Sequence, residues 1–189
     1  MSKEFLGDRR AALEEAFFAK KDQELLQRLR ELDKVRRTKE ALSAASGITD
    51  ELVLERVAAL DLDSDTLAAL SLVPLVAVAW ADGSISDSER RSAFSRAAEM
   101  GLSRQDISHR LFERWLAEPP PPELLAVWKD YIKALSATRD GEGKDALREG
   151  VLSRARIVAE AAGGFLGIGG KISPAEERVL KELERAFSE

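Results

Sequence analysis

With 189 residues, 44% of them hydrophobic and 33% charged, the chain is long enough to bury one sizeable core and too apolar to be disordered. It contains no cysteine, which removes disulfides, thiolate metal sites and cysteine nucleophiles together and fits a reducing cytoplasm. A net charge of −5 gives no electrostatic basis for binding DNA or RNA.

The first residues lack a basic stretch followed by an apolar run, so no signal peptide is expected. From Asp8 to Ala45 the chain is charge-dense and helix-prone. Leu13 with Phe17, then Leu25, Leu29 and Leu32, recur at the spacing of one helix face, while Lys and Arg alternate with Asp and Glu through Lys39. Two or three helices are expected here, with a thin apolar stripe that packs on the main domain or on a partner. Gly47 then ends a helix, and Thr49 or Asp50 caps the next, over Glu51 to Leu60. These signals divide the chain into an N-terminal helical extension over residues 1–47 and a helical domain over residues 48–189.

Thr66 to Ala81 is the longest uncharged segment. It is shorter than the ~20 apolar residues that cross a bilayer, and Leu67, Leu70, Leu72, Val73, Leu75, Val76, Val78 and Trp80 read as a helix buried on nearly every side. Pro74 predicts a kink or a break into two shorter helices. An Asp82-Gly83 turn follows, then a helix from Asp87 to Met100 ended by Gly101. Ser103 with Asp106 predicts the start of another helix, running through Phe112, Trp115 and Leu116 to the prolines at 119–122, which read as a rigid connector. Leu124, Leu125, Trp128, Ile132 and Leu135 mark the next helix. Asp140 to Lys144 reads as a flexible loop, Asp145 to Ala162 as a helix, and a last helix starts at Ser173 with Val179, Leu180, Leu183 and Phe187 on its apolar face. No segment alternates long enough to argue for a strand. The expected fold is all-α.

The turn after the apolar helix has an echo. Val76-Ala77-Val78-Ala79, a turn, and Ile85-Ser86 are matched by Val158-Ala159-Glu160-Ala161, a glycine-rich turn, and Ile172-Ser173, with Glu89 and Glu176 each third after the serine. The pattern suggests two pseudo-repeated helix–turn–helix units. Ser86 with Glu89, and Ser173 with Glu176, form capping boxes in sequence, and Pro174 suits a first helical position. The same residues also resemble the second half of an EF-hand calcium loop, with Gly83 sixth, Ile85 eighth and Glu89 twelfth. Counting back places Val78 and Trp80 at the first and third ligand positions, and Phe165 and Gly167 in the second copy, so neither loop is complete. A hard cation needs about six oxygens or more. Two facing half-loops could pool Asp82, Asp87, Glu89, Glu160 and Glu176, for calcium or magnesium more than zinc. Glu160 draws notice because it interrupts an apolar helix, where a buried carboxylate would need a partner; a salt bridge to Arg154 or Arg156 would serve equally.

The stretches VAVAWADGSISDSER and RIVAEAAGGFLGIGGKISPAEERVL resemble the paired motifs of the TerB-like (tellurite-resistance) family, over roughly Leu52 to Phe187. The resemblance implies an all-helical, mainly bacterial, non-enzymatic module of stress response, working through protein partners, with acidic residues proposed to hold a metal. By the same resemblance those residues are Asp82, Asp87, Glu89, Glu160 and Glu176. The second copy departs in holding Gly169 where the first holds Asp82. A second reading is a scaffold or adaptor at the inner membrane surface, with Thr66–Ala81 and Gly163–Gly170 contacting lipid or a membrane partner. The glycine run before Lys171 is no phosphate loop, since Phe165 and Ile172 stand where a glycine and a Ser or Thr are required. His109 is the lone histidine, which removes any histidine-based metal cluster.

Overall fold

Pro74 divides the uncharged segment as its missing amide requires. The computed structural model describes residues 2–162 and 172–188, and among these every regular element is a helix. Leu67–Leu72 forms a tight 3-10 segment, and α3 (Val73–Ala79) follows with Pro74 in its first turn, where no intrahelical donor is lost. Leu70, Leu72, Val73, Leu75, Val76 and Val78 are all buried. The segment read as a lipid-contacting surface therefore has its leucines and valines turned inward. Around α3 pack α4 (Asp87–Glu99), α5 (Ile107–Ala117), α6 (Leu124–Ala137), α7 (Gly141–Ala162) and α8 (Pro174–Arg185), together with the 3-10 segment. A helix surrounded in this way has no face for a charge. No helix among the described residues is long and apolar enough to cross a membrane.

The N-terminal region departs from expectation. It is one helix, α1 (Ser2–Ser46), of 45 residues, not two or three. No glycine or proline stands between Asp8 and Ser46 to stop it, and at 1.5 Å per residue it extends about 68 Å. Among the described residues, its C-terminal end is where α1 meets the rest of the fold. Leu42 is wholly buried, α1 packs on α2 (Glu51–Ala59), and Lys39 Nζ lies 2.5 Å from Glu51 Oε2. Every residue from Lys20 to Leu32 is exposed. The side chain of Leu13 lies outside the described residues.

The boundaries follow capping chemistry. Gly47 takes a φ of +75°, which any other L-residue adopts at a cost, and ends α1. Asp50 caps α2 by accepting from Leu52 N at 3.0 Å and Val53 N at 3.1 Å. Ser103 and Asp106 do pair, with Ser103 N donating to Asp106 Oδ2 at 2.7 Å, but they close a turn that precedes α5 rather than its first turn. Asp140 to Lys144 is not a loop. Asp140 accepts from Gly143 N through its side chain at 2.8 Å and from Lys144 N through its carbonyl at 2.9 Å. That cap starts α7 at Gly141 despite two glycines, whose cost of about 0.5–1 kcal/mol each is offset by the cap and by packing further along.

Side-chain hydrogen bonds tie elements together at defined points. Trp80 Nε1 donates to the carbonyl of Trp115 at 2.7 Å, tying the end of α3 to the end of α5. Ser108, buried, donates to the carbonyl of Asp65 at 3.2 Å. Before the 3-10 segment, Asp63 Oδ1 accepts from Thr66 Oγ1 at 2.8 Å, Thr66 N at 3.0 Å and Asp65 N at 3.1 Å. The Thr66 hydroxyl bond is the chief reason the Asp63 carboxyl is held below its ordinary range, against a smaller opposing effect of burial. A carboxyl lowered on folding stabilises the protein above its unfolded value, near 4, and that stabilisation is lost as the pH falls through the lower folded value. Replacing Asp63 with Asn is therefore expected to flatten the acid limb of a thermal-midpoint-versus-pH series below about pH 4. An unchanged acid limb would show that this turn opens before it titrates.

Candidate functional site

The two turns singled out in the sequence share one local geometry. Ser86 and Ser173 are both extended, with φ, ψ of −73°, 160° and −69°, 158°. Each hydroxyl accepts from the amide of its third following residue at 3.2 Å, and each glutamate returns to the serine amide, at 2.7 Å for Glu89 and 2.6 Å for Glu176. Ile85 and Ile172 pack half-buried on the core in both. Both capping boxes are formed in full. Replacing Ser86 or Ser173 with Ala is expected to cost about 1 kcal/mol in each case, read from the denaturant midpoint. A loss within error at both would mean that packing alone fixes these helix starts.

The five candidate ligands separate into two sets. Glu89 and Glu176 are buried, at 4% and 3% exposed, with one oxygen of each committed to the cap. Asp82, Asp87 and Glu160 are exposed. Asp82 folds back on its own turn, where Oδ1 accepts from Ser84 N at 3.0 Å while Gly83 takes a φ of +89°. Asp87 stands at the solvent end of α4. Glu160 does not interrupt a buried face: Ala155, Val158 and Ala159 point inward, and Glu160 falls on the opposite side of α7. Among the described residues no group of three or more Asp, Glu or His side chains is placed to hold a metal. One feature survives that sorting. Glu176 Oε1 is buried without a hydrogen-bond partner, whereas its sister Glu89 has no such orphaned oxygen. Gly163 to Lys171, including Gly169, Gly170 and the proposed lipid-contacting glycines, lie outside the described residues.

The helices that carry the turns are interleaved. α3 packs on α7, α4 on α7, and α3 on α8, so the helix before each turn touches the helix after the other. His109 is half-buried against Phe94, ring centroids 5.5 Å apart, and Phe94 in turn meets Phe112 edge-on. That accounts for the lone histidine as packing.

Two surface features were less visible in sequence. Between α6 and α8 lies a groove of roughly 550 Å³ edged by Lys129, Lys133, Arg178, Lys181 and Arg185. Its acids are engaged, Asp130 by Arg56 and Glu182 by Lys129, so the groove is locally basic in an acidic chain. The residues come from helices about 50 positions apart, which no local pattern reveals. The other feature is α1, where Leu25, Leu26, Leu29 and Leu32 are each more than half exposed. The leucine spacing was plain in the sequence. That these leucines stay more than half exposed was not.

Compared with protein-family models, with proteins of curated function and with solved structures, the chain matches none.

Proposed function

We infer that the chain is a non-catalytic interaction module of the TerB-like, stress-response kind, acting in the cytoplasm through protein partners. Its helical domain serves as a rigid platform and its docking element is the bare stretch of α1. The observation that carries this reading is the run from Lys20 to Leu32, exposed throughout and bearing four exposed leucines. An isolated helix of that length is marginal in water, and most helical stability in proteins comes from packing an apolar face. A contiguous exposed apolar strip on an otherwise well-buried chain marks an interaction surface. The TerB-like assignment is supported by the recurrence of one capped turn after two helices that bury Val76 and Val78, and Val158 and Ala159, in the core. The test is complementation: cells lacking the gene are challenged with tellurite and supplied with the wild-type chain or a Leu25→Ser, Leu29→Ser, Leu32→Ser variant. The variant is expected to accumulate normally and fail to protect. Full protection by the variant removes α1 from the function, and no sensitivity in the deletion strain removes the stress role.

A second reading, a divalent cation between the turns, is favoured by the orphaned Glu176 oxygen alone. An all-oxygen donor set selects calcium or magnesium over zinc. The carboxylates as arranged do not form a cage, so binding would require the exposed Asp82 and Asp87 to reorient. Isothermal titration of the chelator-treated chain with each ion is expected to give heat that Glu176→Gln abolishes. Absence of heat with all three ions ends this reading.

A further inference from the structure

We propose that the bare stretch of α1 pairs with the same stretch of a second copy, antiparallel and centred on Leu29. This rests on the reading of α1 as a docking element and names its partner. At 3.6 residues per turn, the positions between Lys20 and Arg37 that share one stripe of about 80° are Asp22, Leu25, Leu29, Leu32 and Arg36. The stripe has an acid at one end, a base at the other and three leucines between, and it is balanced about Leu29: Asp22 lies as far before it as Arg36 lies after. Turned end for end on itself, it sets each Leu25 beside the partner copy's equivalent of Leu32, Leu29 on Leu29, and each acid beside a base. A parallel arrangement opposes acid to acid and base to base. The surface is therefore self-complementary in one direction only, as a two-fold interface requires.

The fold leaves room for the second helix. The domain covers the side of α1 marked by Leu42, which is buried, whereas Arg36 and Glu40, next along the stripe, are exposed. Arg36 already donates to Asp33 at 2.7 Å and Glu40 at 2.6 Å, and its guanidinium has further donors for a carboxylate from the other copy. Exposed ion pairs add little affinity, being solvated and screened. The leucines accordingly supply the affinity and the charges supply the direction.

Sedimentation equilibrium of the full chain over a wide concentration series tests this. Wild type is expected to follow a monomer–dimer equilibrium, and Leu29→Glu to remain monomeric with an unchanged thermal midpoint of the helical domain. Asp22→Arg and Arg36→Asp are each expected to weaken the dimer about tenfold, and the double exchange to restore it to within a few-fold of wild type. A wild-type chain that stays monomeric overturns the proposal, as does a dimer that the double exchange leaves weakened. Co-sedimentation of monomer with phosphatidylglycerol vesicles, lost in Leu29→Glu, would overturn it in favour of lipid. A monomer whose triple-serine variant still fails to complement would overturn self-pairing and leave the docking reading intact.

Discussion

Leu42→Ala is expected to destabilise the chain by about 2–5 kcal/mol, while Leu25→Ala changes stability by no more than about 0.5 kcal/mol. Both leucines lie on α1 and both would be scored alike by propensity. They differ in surroundings: Leu42 is 0% exposed and Leu25 is 56% exposed. Truncating Leu42 removes buried methyl groups and leaves a cavity in the core where α1 packs on α2. Truncating Leu25 on a monomer only returns surface to water that was already wet. Guanidinium melts at a concentration where the chain is monomeric measure both, and equal m-values would show that the same cooperative unit unfolds. Comparable losses would mean that α1 folds back on the domain in solution. A Leu42 loss under 1 kcal/mol would mean that the C-terminal turns of α1 fray from the core. The local ion pairs along α1, such as Asp33 with Arg36 and Arg37, cannot substitute for that anchor, since exposed pairs at this spacing contribute about 0.3–0.5 kcal/mol.

The same contrast explains what could be read from the sequence. Periodicity and caps are local, and local features were legible. The uncharged run around Pro74 became the central helix with its break where the proline stands, Asp50 capped α2, and both serine–glutamate boxes formed. Features that depend on what lies opposite were not legible. The wholly helical character of α1 follows from the absence of stopping residues, whereas its thin, uneven stripe suggested interruption. The glycines at 141 and 143 argued for a loop, and only the geometry of the Asp140 side chain reveals a helix start. Glu160 sits among alanines and a valine in sequence, and only the packing direction of α7 shows that it faces water. For the turns, capping chemistry and cation chemistry call for the same residues. The sequence could not separate them. The structure engages Glu89 and Glu176 in caps, leaves Asp82 and Asp87 in solvent, and leaves one oxygen of Glu176 unspoken for.

Trp128→Ala is expected to cost about 3–5 kcal/mol and to release the C-terminal turn along with the core. Trp128 is the largest fully buried side chain among the described residues, 1% exposed, and lies on α6, a helix that packs on α2, α3 and α7. Its ring meets Phe187 edge-on, centroids 6.3 Å apart and planes at 74°, an arrangement that contributes about 0.5–1.5 kcal/mol beyond the area it buries. Phe187 lies in the turn just past α8 and is half-buried, so Phe187→Ala should cost less than Trp128→Ala. The double variant separates packing from pairing: a coupling of about 0.5–1.5 kcal/mol is expected from the cycle, since the rings are in direct contact. The functional weight of this contact comes from its position on the chain. α8 begins at the Ser173–Glu176 cap and ends at Arg185, two residues before Phe187, and Leu180 and Leu183 hold its middle against the core. Loosening its far end should therefore leave the cap formed while making its amides exchange faster. Hydrogen exchange on Trp128→Ala is expected to show protection lost first around residues 180–188 and retained longer at Glu176. Uniform loss across α8 would show that the second capped turn has no stability apart from the core beneath it.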